Sequence, residues 1–293
     1  MERSEAMNMP TAEISYELRS RHPWNKQMVI GCVMLMAIIL VALFAPVLSP
    51  NDPYASNPAN KYMLPSAEYW FGTDNIGRCI ASRTFYGART SLAYASIILG
   101  SMVAISLVLG LISGYFGGIA DTFIMRSTDI FLALPAPVVA LAIAGALGPS
   151  AKNLIIAMVV TSWGDFTKLV RGMVLEIKEK DFVMAAKASG FSHFKMLRTH
   201  ILTNVIPPLI VLATLEMGKI ILSIAGYSFI GLGAQPPTAE WGVMISDAKN
   251  YIQTQPQLML YPSAAIVATV ASFNILGEGL KRFISRGTVN AAN

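Results

Sequence analysis

Six apolar runs, each close to the length of a membrane-crossing helix, constrain this 293-residue chain more than any other feature. A spanning helix needs about 20 predominantly apolar residues. The clearest run is "MVIGCVMLMAIILVALFAPV" at 28–47, and others fall near 92–112, 130–147, 154–170, 205–230 and 258–276. With 54% hydrophobic and only 13% charged residues, the chain is too apolar for a soluble domain of this size. The expectation is an all-α integral membrane protein with six transmembrane helices. Basic residues precede the first run, as in a signal peptide, but its apolar stretch is about twice a usual signal core and no small-x-small cleavage site follows, which favours a retained anchor.

Lys and Arg in the connections predict the orientation. A cytoplasmic N-terminus puts inside Arg3, Arg19, Arg21 and Lys26, the seven basic residues between Lys168 and Arg198, and Lys281, Arg282 and Arg286 of the tail. It leaves Lys61, Arg78, Arg83, Arg89, Lys152 and Lys249 outside. Both termini are therefore expected in the cytoplasm. The net charge of +5 is largely a topology signal and does not point to nucleic acid. The chain divides into a cytoplasmic segment at 1–27, a first transmembrane helix at 28–47, an external connection at 48–91, a core at 92–283 containing a cytoplasmic loop at 173–204, and a cytoplasmic tail at 284–293.

Residues 185–204, "AAKASGFSHFKMLRTHILTN", form a short basic interruption between the fourth and fifth runs. Phe182, Ala185, Ala186 and Ser189 recur at helical spacing, and Gly190 supplies the left-handed backbone that ends a helix. Ser192 can cap a second helix with Phe194, Leu197 and Ile201 on one stripe. Two short helices at an angle make a knob that small Ala185 and Ala186 leave open to close approach. On spacing alone, a helix lying on lipid headgroups through Lys178, Lys180, Lys187, Lys195 and Arg198 is equally admissible.

Other residues carry less. Glu216 and Lys219 sit three apart near the middle of the fifth run, where exposure to lipid costs several kcal/mol (~3), so they should pair and face protein or water, as part of a pathway wall or as a structural pair. Asp121, Arg126 and Asp129 suggest a local ion network at a span entrance, and Asp165 and Lys168 an interfacial position. Pro135 and Pro137 should kink the third run. Pro236, Pro237, Glu240 and Trp241 belong to an external segment that can fold over a cavity mouth, where Trp241 suits a membrane interface or protein contact. Cys32 and Cys79 suggest neither a disulfide nor a thiolate metal site. His193 and His200, seven apart, lack the partners of a metal site. The sixteen methionines form no ladder and read as packing residues.

The 185–204 segment resembles the cytoplasmic loop of binding-protein-dependent ABC importer permeases, with Ala185, Ala186 and Gly190 in the matching positions, Met184 where that family often has an acid, and Thr203 where it often has proline. "FGTDNIGRCIASRTFYGARTSL" (71–92) resembles the external signature of the dipeptide, oligopeptide and nickel branch, with Cys79 at a usually acidic position. "GYFGGIADTFIMRSTDIFLALP" (114–135) and "GLGAQPPTAEWGVMISDAKNYI" (231–252) resemble two further blocks. "VLATLEMGKIIL", "PPTAEWGVMISDA" and "YIQTQP" look most like the second permease subunit of nickel or metal-chelate importers.

The resemblance implies the type I importer permease fold in a bacterial cytoplasmic (inner) membrane, with a coupling helix in which Ala185, Ala186, Gly190, Phe191 and Phe194 meet an ATPase. It implies four further components: a second, homologous permease, two ATPase subunits, and an extracytoplasmic binding protein meeting a mouth lined by Pro237, Glu240 and Trp241. The chain itself has no glycine-rich loop ending in Gly-Lys-Ser/Thr, so ATP and Mg would be used by the ATPases, and this chain would bind no cofactor and catalyse nothing. The cargo expected is nickel or a metal chelate, with dipeptides and oligopeptides as the alternative. A secondary transporter would show an internal repeat, and a membrane enzyme a nucleophile with its base or a metal set; neither pattern is present.

Overall fold

A computed structural model describes residues 25–291, with side chains described to Ile284. All but the last three residues of the 1–27 segment, including Arg3, Arg19 and Arg21, lie outside the described residues, as does the side chain of Arg286. The described chain is helical: α1 (Lys26–Leu43), α2 (Ala45–Leu48), α3 (Ile80–Phe116), α4 (Gly118–Leu132), α5 (Ala136–Leu147), α6 (Ala151–Lys178), α7 (Asp181–Ala188), α8 (His193–Met196), α9 (Leu202–Ile230), α10 (Trp241–Ala248) and α11 (Gln257–Ala291).

Among the described residues, four helical stretches are long and apolar enough to cross a membrane: α1, α3, the continuous run from α8 through α9, and α11 up to Ile284. The pair α4 and α5 makes a fifth if taken as one bent span. At 28 residues α6 also has the length to cross, about 42 Å at helical rise, but carries Lys152, Asp165, Lys168 and Arg171.

The 130–147 run is not one helix. It breaks at 133–135 with an 81° bend, because Pro135 and Pro137 bring no N–H to continue the ladder and instead open α5. Alone, α5 has 12 residues, about 18 Å, too short for a bilayer core. The first run ends early for a related reason, with α1 stopping at Leu43 and a short turn containing Pro46 following. The second extends far beyond its apolar window, because the head of α3 is buried among the connecting loops that supply partners for its polar side chains.

Small residues bring helices into backbone contact, the device that holds helices together in lipid. Along α3 and α6, a Cβ on Gly110 would lie 2.6 Å from Val170 Cβ, and one on Gly114 would lie 2.8 Å from Val174 Cβ. The first and last helices pair likewise: a Cβ on Gly31 would lie 2.5 Å from Leu276 N, and one on Gly279 would lie 2.6 Å from Met28 N. The opposite face of α1, with Val29, Val33, Met36, Leu40 and Leu43 exposed, suits lipid.

Candidate functional site

The segment between α6 and α9 is built as two short helices around a glycine. The α7 helix ends in a hydrogen-bonded cap, with Ser189 N donating to Ala185 O at 3.0 Å and Phe191 N to Ala186 O at 3.2 Å. Gly190 sits at φ +77°, the left-handed region that its missing Cβ permits. Ser192 Oγ then accepts from Lys195 N at 3.4 Å and opens α8. A π turn at Leu197–Ile201 joins α8 to α9 without a break in the helix. Side chains reinforce it, Thr203 Oγ1 donating to Arg198 O and Asn204 Nδ2 to His200 O.

Two details differ from the sequence expectation. Ala186 is buried beside Val183 in the core, so only Ala185 of the pair offers open surface. The expected Phe194, Leu197 and Ile201 stripe is split: Phe194 is 75% exposed while Ile201 is fully buried. The π turn has more residues per turn, so a spacing that returns to one face of an α-helix no longer does so here. Exposed Phe182, Met184, Ala185 and Phe194 remain together on the knob, Phe191 is half-buried under the Lys195 ammonium at 4.2 Å, and Gly190 is exposed. His193 and His200 do not converge: the first meets Tyr115, the second lies between the rings of Phe182 and Phe191. No three His, Cys, Asp or Glu side chains among the described residues gather as metal ligands.

Glu216 and Lys219 pair as the spacing predicts, Nζ to Oε2 at 2.8 Å. The lysine side chain is 73% exposed, while the glutamate, at 25%, is partly buried against this chain. On the cytoplasmic side of the expected topology, Asp121 takes a bidentate hydrogen bond from Arg171 at 2.6 and 2.7 Å and one from Ser113, while Asp129 pairs with Lys168 at 2.7 Å. These tie α3, α4 and α6, so Lys168 belongs to that network.

The 236–241 segment also departs from the sequence expectation. Pro237 is exposed, but Glu240 and Trp241 are each only 1% exposed and line no mouth. Glu240 caps α10, accepting from Gly242 N and Val243 N at 3.0 Å each, and takes a third hydrogen bond of 3.0 Å from Ser91 Oγ. The Trp241 indole donates to Thr84 O at 3.0 Å and fills the notch at Gly87, where a Cβ would lie 2.6 Å from its ring. The acceptors at the α10 N-terminus come from Glu240 itself, and the head of α3 adds the Ser91 donor to that carboxylate and the slot for the indole.

That helix head also holds residues the sequence did not single out. Arg78 pairs with Asp74 at 2.6 Å and Asp247 at 3.3 Å, and Arg83, 2% exposed at its side chain, donates to Pro53 O at 3.3 Å and Pro237 O at 3.1 Å. The signal was present as two arginines and an aspartate within ten residues, too polar for a lipid-facing helix start.

Residues 106–290, well over half the chain, match the family of binding-protein-dependent transport system inner membrane components. The chain belongs to that family. Residues 25–65 also match the N-terminal TM domain of oligopeptide transport permease C. A dipeptide transport system permease protein of Alkalihalophilus pseudofirmus is 41% identical over 94% of this chain and 92% of its own length. A nickel transport system permease protein of Escherichia coli is 37% identical over 92% and 95%. A glutathione transport system permease protein of Pectobacterium atrosepticum is 36% identical over 85% and 83%. The protein is a multi-pass inner-membrane permease subunit of an ABC importer, works with ATPase and substrate-binding partners, and is not itself catalytic.

Proposed function

We propose that this permease forms one half of the translocation path of an importer for dipeptide-sized, zwitterionic solutes, the other half being a second, homologous permease. The observation that carries the cargo assignment is the Glu216–Lys219 pair, a carboxylate and an ammonium 2.8 Å apart near the middle of α9, the ammonium exposed and the carboxylate partly buried. A zwitterion presents the same two charges in complement, and an exposed ammonium with its counter-ion at the middle of a membrane helix is accounted for by a water-filled path between two permeases. Relatives named for dipeptide and D,D-dipeptide transport, at 41% and 39% identity, support this cargo. A metal chelate is the second reading, favoured by the likeness of 212–222 and 236–248 to nickel permeases and by the nickel relative. A bare divalent ion needs ligands at every stage, whereas a chelate carries its own, so nickel would pass as a complex.

In this scheme both termini are cytoplasmic, and Phe182, Met184, Ala185, Gly190, Phe191 and Phe194 dock an ATPase. Two ATPase subunits bind ATP and Mg, while this chain binds no cofactor. The binding protein meets the outer surface at Pro237, behind which buried Glu240 and Trp241 fix the loop. Uptake by the reconstituted complex decides the cargo. ATP-dependent accumulation of a labelled dipeptide without metal is the expected result, and accumulation of nickel only with a chelator would move the assignment to the second reading.

A further inference from the structure

Three helix ends meet at Tyr115, in the last turn of α3. Its hydroxyl lies 3.0 Å from Nδ1 of His193, the first residue of α8, and the two rings pack edge to face at 5.8 Å. Its carbonyl, which has no partner further along the helix, accepts from Lys178 Nζ at 2.8 Å, and Lys178 is the last residue of α6. The same ammonium stands 5.8 Å over the Tyr115 ring, and Phe116 packs against both Tyr115 and His193. The hydroxyl is the donor if Nδ1 is to accept, which places the imidazole proton on Nε2.

The helix on which Tyr115 stands is rigidly held elsewhere. Near its inner end, Gly110 and Gly114 lie against Val170 and Val174 of α6, and Ser113 joins the Asp121–Arg171 pair. Near its outer end, Arg83, Thr84, Gly87 and Ser91 grip the 53 and 237–241 loops. Its 37 residues span about 56 Å as one helix. By contrast, α7 hangs between 179–180 and the bend at Gly190, and only α8 runs on through the π turn into α9, so the angle of the knob to α3 depends on side-chain contacts.

From this geometry we propose that Tyr115 is the positioning residue that fixes the knob to α3, so that motion of a docked ATPase is delivered to α3 as a rigid movement. The proposal rests on the docking role assigned to the knob. Tyr115→Phe removes the hydroxyl and keeps the ring, the Lys178 contacts and the packing. His193→Ala removes the other partner, while in His193→Asn the side-chain oxygen takes the place of Nδ1 and accepts the same bond.

The test uses the full complex in lipid nanodiscs, with spin labels on cysteines introduced at exposed Ile119 and Lys187 in a background lacking Cys32 and Cys79. The pulsed-EPR distance distribution reports the knob's angle, and co-purification reports ATPase docking. Tyr115→Phe and His193→Ala are expected to broaden the distribution at least about twofold, with no further change in the double variant, and to lower cargo moved per ATP about three- to tenfold, the loss of one hydrogen bond. His193→Asn should restore the narrow distribution, and co-purification should not change. A narrow distribution in Tyr115→Phe, or broadening that His193→Asn fails to reverse, overturns the proposal and leaves docking standing. Separately, Ala185→Glu should abolish co-purification. If it does not, the docking role fails, whatever Tyr115 does.

Discussion

The buried carboxylate of Glu240 invites a demanding test. Glu240→Gln keeps the volume and shape but replaces one oxygen by an NH2 group. Glu240 Oε2 accepts from Val243 N, and Oε1 accepts from both Gly242 N and Ser91 Oγ, so either placement of the amide sets donor against donor. One charge-assisted hydrogen bond is lost, about 1.5–3 kcal/mol, and a buried N–H is left without an acceptor, so a total near 2–4 kcal/mol is expected. Ser91→Ala removes a single partner and should cost only about 1 kcal/mol. Because both act on one carboxylate, the double variant should lose less than the sum of the singles. Thermal unfolding of the purified permease, followed by fluorescence-detected gel filtration, measures the order. A Glu240→Gln protein as stable as the wild type, or one no worse than Ser91→Ala, would refute the account of the α10 cap in which three donors share one carboxylate.

Gly190→Val places a branched side chain at φ +77° in otherwise open space, so its cost is the backbone's alone, about 1–2 kcal/mol. Uptake per ATP should fall while insertion is normal, and Gly190→Asn should keep most activity; equal uptake by the valine variant counts against the turn. Gly110→Leu drives a side chain into Val170, an overpacking cost of about 1–3 kcal/mol visible as a lower yield of monodisperse protein, whereas the same change at open Gly226 should be neutral for yield. Exchanging Glu216 and Lys219 keeps an ion pair worth only about 0.2–0.5 kcal/mol on a helix surface, so melting should be unchanged while cargo preference shifts; unchanged preference would argue for a purely structural pair. Reporter fusions at residue 293 should be active only in the cytoplasm, and activity outside would reverse the orientation.

The apolar runs announced the helices because lipid imposes one requirement on every spanning residue, and the left-handed turn at Gly190 was legible because few residues tolerate it. The break at Pro135 was legible as a kink, but its 81° angle depends on how α4 and α5 pack and is not local information. What was lost concerned polar residues whose partners lie far along the chain. Trp241 read as a surface residue because its acceptor, the Thr84 carbonyl, lies 157 residues away, and Glu240 because its local cap at Gly242 and Val243 does not reveal the burial that distant Ser91 completes. Ala186 was misplaced for a smaller reason: on an eight-residue helix, one step of rotation separates the open face from the buried one.

The close pairing of α1 with α11 has a consequence for biosynthesis. The segments that clasp Gly31 and Met28, at Leu276 and Gly279, leave the ribosome roughly 240 residues after them, an interval of about 10–50 s at ordinary translation rates. During that time the glycine face of α1 is without its final neighbour while other chains in the membrane are free to take it. The nascent permease therefore passes through a window in which an insertase or chaperone occupying that face would decide between correct closure and premature association, and slowing synthesis downstream of α10 would lengthen it.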